Sequence, residues 1–377
     1  MSRSPRHAIP LTVALLIVSL PLPATASPGL AQSAAAPRAT AAAPSTSTST
    51  FVVASHRQAA GRSTAATTPG EVRTSLRDRA TGAAVRGCVS LVPVDRDRLT
   101  VVFLGEVQDG RHGGCTGVDG GDVLASNVPP GRYHLLAEPY DNAQHGMQWV
   151  GRYGGTGQRE RGVTIHVRPG RTVTAPTVHF DPPGTVTGRV TRAADGTPVY
   201  FGYVLPLPVV PHPKYSDYGV ITDDDGRYTL TGLGPYRWPL YYTGYGLASQ
   251  WSGGVAERRK ADTVRVRSGT TVTSNQKLVA GTVVSGTIAV DEMPNYSQVI
   301  AFHARTGDVT GVVDVGADYT LRLLPGQRVL LRCDCAHVPS RWFPNAEQVS
   351  EAQPLRIRHT PVTANFDLTG PATVPTP

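Results

Sequence analysis

Lysine is nearly absent from this chain: Lys214, Lys260 and Lys277 are the only three. The formal charge of +8 is therefore carried by arginine, and the arginines are scattered rather than gathered in a block. Scattered charge reads as the solvated faces of strands. It gives no nucleic-acid-binding motif and leaves weak attraction to anionic cell-envelope polymers as the electrostatic interaction to consider. Beyond the N-terminal region no stretch approaches the run of about 18 apolar residues that crosses a bilayer, so no membrane span is expected. Sustained helical periodicity is missing too. With 40 glycines and 32 prolines punctuating short apolar runs, the composition excludes a helical protein and predicts an all-β one.

Catalytic signatures are equally scarce. The eleven histidines form no His-Glu-x-x-His pair, which excludes the helical zinc site of a metalloprotease. No G-x-S-x-G elbow is present, and neither is a phosphate loop or a dinucleotide fingerprint. No catalytic residue, metal ligand or cofactor is expected.

Four cysteines are present: Cys88, Cys115, Cys333 and Cys335. Cys88–Cys115 is the expected bridge, since both lie in one stretch between turn signals and the compartment is oxidising. Cys333 and Cys335 share a strand face at a separation near the upper limit for a bridge. Either the strand puckers to join them or the thiols stay reduced.

What is present begins with a leader. Arg3 and Arg6 precede the apolar run Leu11–Val18, and Ala24-Thr25-Ala26 offers a cleavage site of small residues. This is the layout of a secretory signal peptide over residues 1–26, and it predicts an extracellular protein. Residues 27–70 are rich in Ala, Pro, Ser and Thr, too poor in large apolar groups to offset ordering entropy, and are expected to be a disordered linker. Residues 371–377 form a short tail.

Between linker and tail the chain repeats. Gln148-Trp149-Val150-Gly151 has a counterpart in Gln250-Trp251-Ser252-Gly253 and a looser one in Arg341-Trp342-Phe343-Pro344. After each comes a strand alternating aliphatic with basic residues, "VTIHVR", "DTVRVR" and "PLRIR". Before each, a proline turn leads into another strand: "VPPGRYHLLAE", "LGPYRWPLYYT", "LPGQRVLLRCD". The period of two is that of half-buried strands. Three units follow, at residues 71–182, 183–281 and 282–370, each the size of an immunoglobulin-like sandwich. The expected architecture is three tandem β-sandwich domains. No stretch outside them is long enough for a separate catalytic domain.

The second unit resembles the carboxypeptidase regulatory-like domains of secreted bacterial proteins, transthyretin-like (prealbumin-like) sandwiches grouped with the carbohydrate-binding-like folds. Gly188, Asp195, Gly196, Pro198, Thr222, Asp225, Gly226, Tyr228, Leu230, Gly232, Leu233, Gln250, Trp251 and Gly253 carry the likeness. The first unit keeps Gly120, Pro130, Gly131, Tyr133 and Trp149, and the third keeps only Asp318, Tyr319 and Trp342. The resemblance implies the fold more than a function. Related pilin-type domains form lysine–asparagine cross-links, but the first and third units have no lysine, so such linkage is not a general feature of this chain.

Two groups of residues invite a functional reading. Asp223-Asp224-Asp225 before Gly226 lacks the alternate ligands and closing glutamate of an EF-hand, and reads as a turn whose aspartates bind backbone N–H groups. Trp238, Tyr241, Tyr242, Tyr245 and Trp251 crowd into one short stretch. They read either as packing, as the recurrence of Trp149, Trp251 and Trp342 suggests, or as an exposed platform for stacking sugar rings. The resulting expectation is a secreted, monomeric, non-catalytic binding or structural protein. The alternative is a carbohydrate-binding accessory to polysaccharide breakdown. If the chain were an enzyme, association with such folds would suggest an amylase-type glycoside hydrolase acting on starch.

Overall fold

The structure, a computed structural model, describes residues 68–94, 114–117, 119–207, 219–290, 297–335 and 340–369. The expected leader, nearly all of the expected linker and the tail lie outside the described residues. The first strand begins at Gly70, and Ser63–Pro377 belong to one compact unit.

The fold is all-β. The described residues contain no α-helix, only three one-turn 3-10 segments at Arg159–Arg161, Arg258–Lys260 and Val349–Glu351. One sheet layout occurs three times. A long strand, Gly70–Asp78, Gly184–Arg192 or Thr282–Ala289, pairs antiparallel with Asp122–Val128, Arg227–Leu233 or Asp318–Leu323. On its other side it pairs in parallel with the last strands of the same repeat. Opposite lies a second sheet. In the first repeat it centres on Gly87–Pro93 and Gly131–Pro139, and in the third on Ser297–His303 and Arg328–Cys335. In the second repeat it is cut shorter, into Tyr203–Leu205, Tyr241–Tyr242 and Gln250–Trp251, with Arg237–Trp238 pairing separately to Val264–Arg265.

Strand alternation supplies the cores. In Arg227–Leu233 the side chains of Tyr228, Leu230 and Leu233 turn inward while Arg227, Thr229 and Thr231 face water. Each repeat has its own apolar cluster between its sheets, around Leu76 and Leu135, Val186 and Tyr242, and Val284 and Leu331. Cys88 and Cys115, opposite each other on adjacent strands, form the expected disulfide. Cys333 points into the third core, fully buried.

A small device ties the last strand of the second and third repeats to the first strand. Gly188 pairs with Tyr228 and Gly286 with Tyr319. With no side chain on the glycine, the tyrosine ring crosses it, and its hydroxyl donates to a carbonyl of the final strand region. Tyr228 reaches Ser274 O at 2.6 Å and Tyr319 reaches Ala364 O at 2.6 Å. In the first repeat Thr74 stands at the glycine position and itself donates to Pro176 O at 2.7 Å.

A Cβ on Gly188 would lie 1.9 Å from Ser274 O, and one on Gly286 would lie 2.0 Å from Ala364 O. Gly188→Ala and Gly286→Ala should each destabilise by about 1–3 kcal/mol through forced displacement of the last strand. Gly316→Ala, whose Cβ would meet nothing within 4 Å, should be near neutral. Urea denaturation of the three variants checks this, and equal effects at all three positions would refute it.

Candidate functional site

The five aromatic residues singled out by sequence do not form an exposed platform. Trp238, Tyr241 and Tyr242 are wholly buried and Trp251 is 1% exposed. Tyr245 alone stands in water, at 93%. Strand geometry explains the division. Trp238 and Tyr242 turn into the second core, where Trp238 Nε1 donates to Gly234 O at 2.9 Å and the Tyr242 hydroxyl lies 3.1 Å from that of Tyr228. Tyr241 and Trp251, directly opposite each other across the ladder, turn the other way. In an isolated sandwich that face would be wet. Here the third repeat covers it: Tyr241, Trp251 and Leu205 share one cluster with Ile300, Phe302, Leu330 and Trp342.

The first and second repeats meet in the same manner. Leu136, Met147 and Trp149 of the first repeat belong to the core cluster of the second. Backbone bonds stitch this seam, Met147 N donating to Gly232 O at 2.8 Å and Gly234 N to Met147 O at 2.9 Å. The Tyr236 hydroxyl sits 2.5 Å from Gln148 Oε1 and 2.6 Å from Asp181 Oδ2. Burial, with the Asp181 carboxylate beside it, holds that phenol well above its ordinary pKa. The three recurring tryptophans therefore serve the seams between repeats.

The aspartate cluster is a turn. Asp223 accepts hydrogen bonds from Asp225 N at 3.0 Å and Arg227 N at 2.7 Å, and Gly226 supplies the positive φ of +73° that closes the loop. Asp224 and Asp225 face water. Among the described residues no group of three His, Cys, Asp or Glu side chains converges as metal ligands would.

Exposed aromatics do gather nearby, at residues the sequence reading passed over. Tyr200 and Phe201 are 59% and 54% exposed, their ring centroids 5.8 Å apart. Phe201 holds φ at +56°, an uncommon conformation for a bulky side chain and a source of strain. The bond from Thr243 N to Tyr203 O places the turn carrying Tyr245 beside this corner. Two adjacent aromatics before a glycine, in "VYFGYV", are the signal that marks them.

The most concentrated electrostatics lie elsewhere, where all three repeats meet. Arg258, buried in the second repeat, donates through Nη1 to Glu160 Oε2 of the first repeat at 2.5 Å and through Nε to Asp308 Oδ1 of the third at 2.9 Å. Burial alone would raise the Asp308 carboxyl, but Arg258 and then Arg159 outweigh it and hold the group below its usual range. Arg159 is lowered to about 10 by its own burial and by the charge of Arg258. Alongside, Glu257 binds Arg305 of the third repeat at 2.6 Å and Lys260 at 3.2 Å. His134 lies at the edge of this network, buried, and is lowered to about 4 by desolvation and by Arg159 and Arg258.

No protein-family model matches the sequence, and no curated protein matches it either. The resemblance to carboxypeptidase regulatory-like domains thus finds no match among family models. Solved structures that the chain matches include the Bacillus anthracis TIE protein, at 12% identity and TM-score 0.20, covering 80% of this chain and 51% of that one. The chain thus spans about half the length of that protein. A streptococcal ancillary pilin is similar at 10% identity and TM-score 0.20, covering 78% of this chain and 98% of the pilin. The minor pilin of Streptococcus agalactiae is similar at 12% identity and TM-score 0.24, covering 56% of this chain and 95% of the pilin. These likenesses assign neither a family nor an activity.

Truncating Arg258 leaves the Asp308 carboxylate uncompensated in the interior, so Arg258→Ala should cost about 3–5 kcal/mol and Arg258→Met hardly less, because the uncompensated buried charge dominates. Urea titration measures this, and a loss below about 1 kcal/mol would contradict it. Acid should act in two steps. The His134 pKa is depressed in the folded protein, so the unfolded chain binds a proton first, and stability falls as pH drops from about 6.5 to about 4. That step is on the order of 3 kcal/mol and should vanish in His134→Leu. The depressed Asp308 carboxyl adds a further loss below pH ~4, as the unfolded chain takes up its proton before the folded one. Melting temperature against pH for both proteins reads these steps.

Proposed function

We propose that the chain is a secreted, non-catalytic binding and structural protein, built of three immunoglobulin-like β-sandwich domains locked into one body. The observation that supports this most is the use made of its buried ionisable groups. Arg258, Asp308 and Glu257 are drawn out of water into the junction, where each is neutralised by a partner from another repeat or from its own turn, the exposed Glu160 among them. Catalytic acids and bases sit instead in clefts, with pKa values tuned toward the working pH. Here the Asp308 and Glu257 carboxyls are driven further down and Arg258 is held charged, which is the chemistry of a fastening.

A polysaccharide partner keeps one point of support, the exposed corner of Tyr200, Phe201 and Tyr245. Rings held in water offer faces on which sugar rings stack. The buried Trp238, Tyr241, Tyr242 and Trp251 offer none, so an accessory role in starch breakdown would rest on the corner alone. The protein acts as a monomer outside the cell in this reading.

Incubation of the purified protein with insoluble starch, cellulose, chitin and peptidoglycan tests the proposal. Retention on a polymer without release of reducing ends or muropeptides is the expected outcome. Sustained hydrolysis that co-purifies with the protein and is abolished by a single carboxylate substitution would overturn the non-catalytic reading. Loss of retention in Tyr200→Ala with Tyr245→Ala, at unchanged melting temperature, would assign the sugar contact to the corner.

A further inference from the structure

A second feature recurs with the fold and does nothing for its stability. In each repeat the strand after the proline turn pairs antiparallel with a later strand, and one register position carries two basic residues face to face. Arg132 lies opposite His166, Arg237 opposite Arg265, and Arg328 opposite Arg356. All six side chains are exposed. Directly opposed residues hold their Cβ atoms about 4.5–5.5 Å apart, and like charges placed so are destabilising. Two residues further along the chain, just past the end of the later strand, come Arg168, Arg267 and Arg358, exposed as well.

Seven of the described arginines have carboxylates. Arg77, Arg79, Arg227, Arg258, Arg305, Arg332 and Arg341 each lie within 4.0 Å of one. Among the described residues, none of Arg237, Arg265, Arg267, Arg328, Arg356 and Arg358 forms such a pair. Among the described residues the repulsion between arginines is therefore left standing at the same position of the second and third repeats.

We propose that these basic clusters are contact sites for a linear polymer carrying phosphate groups. The proposal rests on the reading of the chain as a binding protein and names the chemistry of its partner. Guanidinium groups match oxyanions through two parallel N–H bonds, and they are weakly hydrated, so contact costs little desolvation. A planar carboxylate spends both oxygens on one such fork. A tetrahedral phosphate presents oxygens in several directions and satisfies two guanidiniums that face it from neighbouring strands. Two such arginine pairs on one chain raise the effective affinity for a polymer long enough to touch both.

The full chain is titrated with long-chain inorganic polyphosphate at sodium chloride concentrations of about 50 and 200 mM, a range over which phosphate contacts respond steeply to salt. In the double variant Arg265→Gln, Arg356→Gln, affinity at the lower salt should fall about tenfold, and the slope of log K against log salt should flatten by about two. Its melting temperature should be unchanged or higher, because a repulsion has been removed. The control Arg152→Gln, Arg161→Gln removes equal charge from exposed positions outside the clusters and should leave binding within about twofold, since only contacting charges set the salt dependence. An equal loss in the control would overturn the proposal, and so would a fall in melting temperature in the test variant. Equally tight binding of poly-glutamate of matched charge would overturn it in favour of a carboxylate partner or unspecific attraction. If the unsubstituted protein ignores polyphosphate yet is retained on an insoluble polysaccharide, this proposal fails while the proposed function stands.

Discussion

A buried guanidinium must be neutralised where it lies, and Arg258 is neutralised by carboxylates from two other repeats. Taking Arg258 and Asp308 out of water is costly, and the cost is offset only while each keeps its partners. The positions of Glu160, Arg258 and Asp308 are thereby made interdependent. Apolar contact between the repeats brings the surfaces together, and the backbone bonds of Met147 to Gly232 and Gly234 set the register of the first seam. The ion network, with its directional hydrogen bonds, allows one arrangement. The turns that carry its members, Arg159–Arg161 and Arg258–Lys260, occupy the same place in successive repeats. In the third repeat that place begins with Val349, which packs against the apolar seam. One position in a shared scaffold thus serves two chemistries.

Much of this was legible in the sequence. Alternation in "VTIHVR" and "DTVRVR", the tryptophans at matched positions, and the proline turns all marked strands and their threefold recurrence, and the structure has those strands. The aspartate turn was legible for the same reason: short-range hydrogen bonds depend on neighbours in sequence. The pairing of Cys88 with Cys115 followed from their sharing one stretch of strands.

The seams were not legible. Whether Tyr241 and Trp251 are wet or dry depends on what covers the outer face of their sheet, and period-two alternation says only that they point away from their own core. Both readings of the aromatic stretch were open for that reason, and the cover supplied by the third repeat decided between them. Arg258 was hidden in the same way: "ERRK" has the look of a solvated turn, and only the convergence of Glu160 and Asp308 makes its first arginine interior. Tyr200 and Phe201 were missed because a strained backbone, not the sequence period, turns them outward.

The parallel pairing of each repeat's first and last strands has a mechanical consequence. Where the chain comes in along one strand and leaves along its parallel neighbour, tension on the two ends pulls those strands past each other lengthwise. Every hydrogen bond between them is then loaded at once, in shear, rather than peeled open one at a time. Gly184–Arg192 against Thr271–Thr273 and Gln276–Leu278 is such a clamp, and the equivalents in the other two repeats put three of them in series. The tyrosine that crosses Gly188 or Gly286 to grip the last strand region acts as a rivet across the same joint. A chain assembled this way is suited to carrying load between whatever is held at its two ends.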